Sequence, residues 1–237
     1  MWYKEWFANH YYDVIYKHRD DKEAELFCNN IIKFIKLNNK LILDLCCGNG
    51  RLLKYLQNFT SNLVGLDITE RFLKNIIANT NNFDLDKIQL VRADIAYLPF
   101  LPDSFDIIFN FFTSFGYFSK KEENNLVISK IYDILKQNGY FVFDYFNFSV
   151  EKENIFNTPK QQFDDILINK YIDGEHIVKQ ILIKKQKYEE RVCIYKADEL
   201  VRLFENNKFK IDYMFGDYSL EPFDEKLSKR IIIVAKK

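Results

Sequence analysis

Short apolar runs alternate with helical patterns along the first 150 residues of the chain. Leu41-Ile42-Leu43-Asp44-Leu45, Leu63-Val64-Gly65-Leu66-Asp67, Ile88-Gln89-Leu90-Val91, Phe105-Asp106-Ile107-Ile108-Phe109-Asn110 and Tyr140-Phe141-Val142-Phe143-Asp144 read as five strands. Continuous apolar runs of this kind suit parallel strands covered on both faces. Between and before them lie amphipathic patterns over 9–18, 21–37, from Arg51 onward, about 70–80 and about 122–136, the last stopped at Asn138-Gly139. The alternation predicts an α/β fold with a doubly wound, mostly parallel sheet.

Residues 160–195 change period. Ile166, Ile168 and Tyr171, then Ile177, Ile181 and Ile183, then Val192 and Ile194 alternate as antiparallel strands do, and Asp173-Gly174 is a hairpin signal between the first two sets. A helix is expected at about 197–206. Two strands, Phe209–Phe215 and Arg230–Ala235, are expected to pair antiparallel at the end of a seven-stranded sheet. The expected organisation is a helical cap (1–38), a Rossmann-like core (39–150), an inserted antiparallel β lid (151–196) and a C-terminal completion of the core (197–237).

Candidate chemistry gathers where the strands end. Asp44-Leu45-Cys46-Cys47-Gly48-Asn49-Gly50 joins the first strand to its helix. Gly48 and Gly50 let the backbone turn and approach a ligand, and the next helix starts with free N–H groups. Asp67 ends the second strand, placed to accept both ribose hydroxyls of a nucleotide. Asp94 follows the third strand, near an adenine edge, and Asn110 ends the fourth. Any one of these acids could be a cap or a solvated loop residue. As a set they converge on one sheet edge.

Composition narrows the classes. Lys plus Arg and Asp plus Glu are 34 each, a balance that counts against nucleic acid as the main partner. Four cysteines without a CxxC pair, and three histidines, argue against a zinc site and suit reduced thiols in the cytoplasm. The N-terminus is too polar for a signal peptide, and no apolar run has the length of a membrane span. Aromatics reach 17% of the chain, which fits either a compositional bias or an aromatic-lined pocket.

With these motifs placed, the chain resembles the class I, seven-stranded S-adenosylmethionine-dependent methyltransferases, small-molecule type. Leu43 to Arg51 is similar to the family's first motif, with Cys46 in place of the first glycine. Gly65-Leu66-Asp67-Ile68 resembles the ribose-binding motif, Arg92-Ala93-Asp94-Ile95 the adenine segment, Phe105 to Asn110 the fourth motif, and Leu135 to Tyr140 the turn that often reads Leu-Lys-Pro-Gly-Gly. The resemblance implies S-adenosylmethionine as cofactor. It implies that Asp44, Cys46, Cys47, Gly48 and Gly50 border the methionine part and Asp67 the ribose. Ile68, Phe72, Asp94 and Ile95 would frame the adenosine, with Asn110 and Phe111 beside the reacting end. It also implies that Tyr11, Tyr16 and Arg19 of the N-terminal segment close over the cofactor.

Phe111 to Phe118 follows the fourth strand beside the expected methyl position. Thr113, Ser114, Phe115 and Tyr117 are the expected substrate floor, and Tyr145 a further wall. The expected reaction is methyl transfer to an N or O atom of a small molecule by a monomer or homodimer, with no catalytic base and no metal assigned. Methylation of RNA or protein on the same fold, a non-catalytic cofactor-binding protein, and an NAD(P) oxidoreductase remain alternatives. The last would require G-x-G-x-x-G, which this loop lacks.

Overall fold

The computed structural model describes residues 2–16, 21–163 and 165–237. Three short helices open the chain: α1 (Trp2–Ala8), α2 (Tyr11–Tyr16) and α3 (Lys22–Ile31). The core follows as β1 (Ile42–Leu45), α4 (Leu53–Leu56), β2 (Leu63–Asp67), α5 (Glu70–Ala78), β3 (Ile88–Arg92), β4 (Phe105–Asn110), α6 (Lys121–Ile134) and β5 (Leu135–Phe146). After α7 (Phe148–Asn157) come four strands, β6 (Lys160–Phe163), β7 (Ile166–Asp173), β8 (His176–Ile183) and β9 (Gln186–Cys193). The chain ends with α8 (Ala197–Asn206), β10 (Lys210–Phe215) and β11 (Arg230–Lys236).

The main sheet has seven strands in the order β10-β11-β5-β4-β1-β2-β3. β1 to β5 run parallel, and β11 inserts antiparallel between β5 and β10. Strand order reverses beside β1, which opens a crevice above the ends of β1 and β4. Side-chain alternation divides the core into two layers. Leu43, Ile108, Phe143, Ile231 and Ile233 pack with α6 and α8 on one face. Ile42, Ile107, Val142, Ile232 and Val234 pack with α3, α4 and α5 on the other. Both faces are thereby buried, as the continuous apolar runs required.

β6 to β9 form a separate antiparallel sheet, and the β7–β8 hairpin turns at Asp173-Gly174 as expected. Ile166, Ile168, Ile181 and Ile183 of this sheet cover Trp6, so the second sheet and the N-terminal helices share a small core. Three elements were not expected from the pattern. These are α1, α7, whose start is capped by the Asn147 side chain accepting from Ser149 N–H at 3.1 Å, and β6. The turn after α6 also differs: the helix ends at Ile134, and Asn138, with φ of 62°, carries the left-handed turn expected near Gly139. Asparagine tolerates that region better than other side chains.

Gly116 lies between the fourth strand and α6 with φ of 86°, and a Cβ there would stand 2.4 Å from Tyr145 Oη. Tyr145 Oη donates to the Cys193 carbonyl at 2.6 Å, and Cys193 N–H donates to the Gly116 carbonyl at 2.8 Å. Gly116→Ala therefore meets both an unfavourable backbone and a fixed neighbour. Chemical denaturation is expected to show a loss of roughly 2 kcal/mol. An unchanged midpoint would refute the contact.

Candidate active site

A cavity of about 540 Å³ opens where β1, β2, β3 and β4 end. Asp44 of β1, Cys46, Cys47 and Gly48 of the following loop, Asp67 at the end of β2 and Ile68 after it, Phe72 of α5, Asp94 and Ile95 after β3, and Phe111 after β4 all line it. The crevice at the switch point is thus the place where the strand-end residues converge.

The loop after β1 is shaped by its backbone. Cys46 has φ of 64° and Gly48 φ of 56°, so the cysteine occupies the left-handed conformation that normally favours glycine. That costs Cys46 about 1 kcal/mol relative to glycine. A Cβ on Gly48 would meet nothing within 4 Å, because this point faces open cavity. Gly48 N–H donates to Asp67 Oδ2 at 2.9 Å, and Thr69 N–H donates to Asp67 Oδ1 at 2.7 Å. The buried Asp67 carboxylate therefore ties the two loops together and keeps further lone pairs toward the cavity. Burial raises its pKa, partly offset by the Thr69 and Gly48 amides.

Asp44 is buried, and among the described residues its Oδ2 has no hydrogen-bond partner. Burial and the neighbouring Asp67 push its carboxyl up to about 8, while Arg51 opposes the shift. A buried polar atom without a partner is costly, and a donor arriving from the cavity relieves it. This suits the ammonium end of S-adenosylmethionine. Asp94 is already engaged: Tyr3 Oη donates to its Oδ2 at 3.1 Å, Ala96 N–H to its Oδ1 at 3.1 Å, and Lys4 Nζ lies 2.9 Å from Oδ2. Asp94 thus anchors α1 to the crevice as well as lining it. These groups fit a ligand with a ribose, a base edge and an ammonium.

Beyond the loops the walls become aromatic. Trp2, Tyr3, Phe7, Tyr12, Tyr16, Phe72, Phe112 and Tyr117 line the cavity, together with Thr113, Ser114, Glu190 and Val192. Phe112 and Thr113 both adopt left-handed φ, 59° and 62°. The buried Asp144 holds that bend, accepting from Phe112 N–H at 2.7 Å, Tyr218 Oη at 2.9 Å and Arg230 Nε at 2.8 Å. Arg230 Nη2 also donates to Thr113 Oγ1 at 2.9 Å. Tyr117 Oη donates to the Thr113 carbonyl at 2.6 Å. The floor after β4 is therefore held from below by a buried ion pair.

Several expected site residues lie elsewhere. Gly50 does not line the cavity; it sits behind the Phe83 ring and beside Ile76. Tyr11 packs against His10 and Tyr188 outside the walls. Asn110 is buried and donates to the Leu45 carbonyl at 3.0 Å, which joins β4 to β1 instead of facing a ligand. Phe115 and Tyr145 belong to the core, packed against the rings of Phe143 and Tyr195. Arg19 lies outside the described residues. Conversely, Trp2, Tyr3, Phe7, Tyr12, Glu190 and Val192 were not expected. The i, i+4 spacing of Trp2 with Trp6 and Tyr3 with Phe7 is the signal for α1.

Among the described residues all four cysteines are free, no metal-binding group of His, Cys, Asp and Glu occurs, and no helix is long and apolar enough to cross a membrane.

Residues 42–139 match the family model described as a methyltransferase domain. A relative from Methanocaldococcus jannaschii, described as an uncharacterised protein, is 27% identical over 231 residues, covering 93% of this chain and 81% of its own. An S-adenosylmethionine-dependent methyltransferase from Clostridium acetobutylicum has the same fold, with a TM-score of 0.77, 18% identity and 98% of each chain covered. An amino pentose methyltransferase from Micromonospora echinaspora, solved with SAM bound and involved in calicheamicin biosynthesis, superposes with a TM-score of 0.64 at 13% identity, covering 96% of this chain and 97% of that one. The domain match lies over the strands and loops that build the crevice, so residues 42–139 are similar to a methyltransferase domain and the chain has the class I, Rossmann-like methyltransferase fold.

Proposed function

We propose that the chain is an S-adenosylmethionine-dependent methyltransferase that transfers a methyl group to a nitrogen or oxygen atom of a small molecule. One observation carries the reading. The strand-end carboxylates and the aromatic floor after β4 share one cavity, roofed by α1, α2 and β9. A roofed volume of about 540 Å³ suits a cofactor and a small acceptor better than a polymer chain. The similar protein acting on an amino pentose supports a small acceptor, and the even balance of 34 basic and 34 acidic residues supports it over nucleic acid.

In this reading Asp67 accepts the ribose hydroxyls, and Asp94 and Ile95 frame the adenine with Tyr3. The loop at Cys46–Gly48 borders the methionine part, and Asp44 receives its ammonium. When bound, S-adenosylmethionine supplies a methyl group activated by the sulfonium. The protein aligns the acceptor with that methyl and excludes water, which the Phe112–Tyr117 floor and the aromatic roof accomplish. Tyr16 closes the roof by donating to Glu190.

The test is calorimetric titration with S-adenosylhomocysteine, which has the same ammonium and ribose. A carboxyl raised to about 8 is largely protonated at pH 7. An incoming ammonium favours the charged form and lowers that pKa, so binding expels a proton. Titrations at pH 7 in buffers of different ionisation enthalpy are expected to show release of close to one proton. Affinity should strengthen as pH rises toward about 8 and then level off. Asp44→Asn should abolish the release. Binding without proton exchange would remove the role given to Asp44, and no binding at all would end the proposed function.

A further inference from the structure

The lid sheet contributes two side chains to the cavity, Glu190 and Val192, which share one face of β9. Glu190 is 9% exposed, so this carboxylate is largely buried among ring systems. Trp6 Nε1 donates to its Oε1, and Tyr16 Oη lies 2.7 and 2.6 Å from its two oxygens. Lys179 Nζ is 3.8 Å from Oε2, but its shorter bond, 2.6 Å, goes to Tyr16 Oη. A carboxylate has about four acceptor positions, so these partners leave capacity on the cavity side.

The rings beside Glu190 are continuous with the floor. Tyr16 lies 4.6 Å from Tyr12, Tyr12 lies 5.2 Å from Phe7, and Phe7 lies 5.5 Å from Tyr117, each measured between centroids. Their faces attract cations, and Lys179 already sits 4.1 Å over the Tyr16 ring. Of the other wall carboxylates, Asp13, Asp21 and Asp94 are paired with Arg71, Lys54 and Lys4, and Asp44 and Asp67 lie at the strand ends, which leaves Glu190 as the wall carboxylate at the aromatic end. Such a cavity favours a cationic guest and disfavours carboxylates, phosphates and phenolates.

We propose that the acceptor is an amine, held at the aromatic end of the cavity by the Glu190 carboxylate. This rests on the small-molecule reading above. The amine enters as an ammonium and loses one proton to water. Its nitrogen lone pair then forms the N–C bond to the methyl carbon as the C–S bond breaks, and that electron pair remains on sulfur. The product leaves as a methylated ammonium, which exchanges its extra proton with solvent. Glu190 accepts a hydrogen bond from an N–H that is kept throughout, so it orients the nitrogen without consuming it.

The experiment incubates the full chain with methyl-labelled S-adenosylmethionine and a deproteinised cell extract supplemented with benzylamine, cyclohexylamine and glucosamine. A parallel arm replaces those amines with benzyl alcohol, cyclohexanol and glucose. The expected label is retained on a cation exchanger and survives alkali, as N-methyl groups do. Label released by alkali as methanol, or found in uncharged ethers, overturns the amine assignment and leaves the small-molecule reading standing. No label in either arm, with S-adenosylhomocysteine bound normally, sinks the small-molecule reading and this inference with it. Glu190→Gln is expected to raise the amine KM at least 10-fold, to shift S-adenosylhomocysteine affinity less than twofold, and to be partly rescued by Glu190→Asp. Equal loss of amine transfer and of S-adenosylhomocysteine affinity would reduce Glu190 to a structural clasp and overturn the assignment.

Discussion

Asp67→Ala is expected to weaken S-adenosylhomocysteine binding about 100-fold or more, a change of about 2.7 kcal/mol. The size follows from two losses at one side chain. The carboxylate accepts from Gly48 N–H at 2.9 Å and from Thr69 N–H at 2.7 Å, so it holds the loop after β1 and the start of α5 in register. It also presents the proposed acceptor for two ribose hydroxyls, and hydrogen bonds to a charged group each contribute roughly 1.5–3 kcal/mol. Alanine removes both and leaves the amides unpaired. Asp67→Asn keeps an oxygen acceptor but not the charge, so a loss of roughly 10-fold is expected. Calorimetry on the three proteins reads the series directly. Affinity within twofold of the parent for the alanine variant would place the nucleoside elsewhere in the cavity.

Arg230→Ala is the substitution with the largest expected effect on stability. Asp144 is fully buried on β5 and Arg230 faces it from β11 at 2.8 Å, with Tyr218 and the Phe112 amide as further donors. Burial opposes the charge on Arg230, while Asp144 and Tyr218 more than offset it and raise its pKa. Removing one partner of a buried pair leaves the other uncompensated, at a cost of about 3–5 kcal/mol. For a chain of this length that lowers Tm by roughly 6–20 °C. Thr113 Oγ1 loses its donor as well, so the floor after β4 loosens along with the core. Replacing both partners, Asp144→Leu with Arg230→Met, should recover part of the stability, because no charge is then stranded. A Tm drop below 2 °C for Arg230→Ala would show that the pair is dispensable.

The strand-end half of the cavity, proposed to hold the cofactor, was legible from the chain because its information is local. A strand that is apolar on both faces, a turn with Gly48, and acids at the next two strand ends each mark a place on one sheet edge. The acceptor half was not legible in the same way. Phe111 to Phe118 was marked as floor, but which rings face the ligand depends on backbone rotation at Phe112 and Thr113. Left-handed φ there breaks the alternation of strand faces, exposing Phe112 to the cavity and sending Phe115 into the core with Tyr145. Nothing in that run of aromatics signals the bend, whose cause lies at Asp144 and Arg230, 32 and 117 residues from the amide and the hydroxyl they hold.

By itself the sequence determined the parallel sheet, the β7–β8 hairpin at Asp173-Gly174 and the loop after β1 that lines the cavity. Hydrophobic period and strand-end chemistry act within a few residues and need no partner to be read. The tertiary structure alone decided the roof, where Trp6 and Tyr16 meet Glu190 across 184 and 174 residues of chain. Only folding could decide it, since adjacent Glu189 and Glu190 are equivalent as text. Burial beneath α1 and α2 distinguishes one carboxylate from the other.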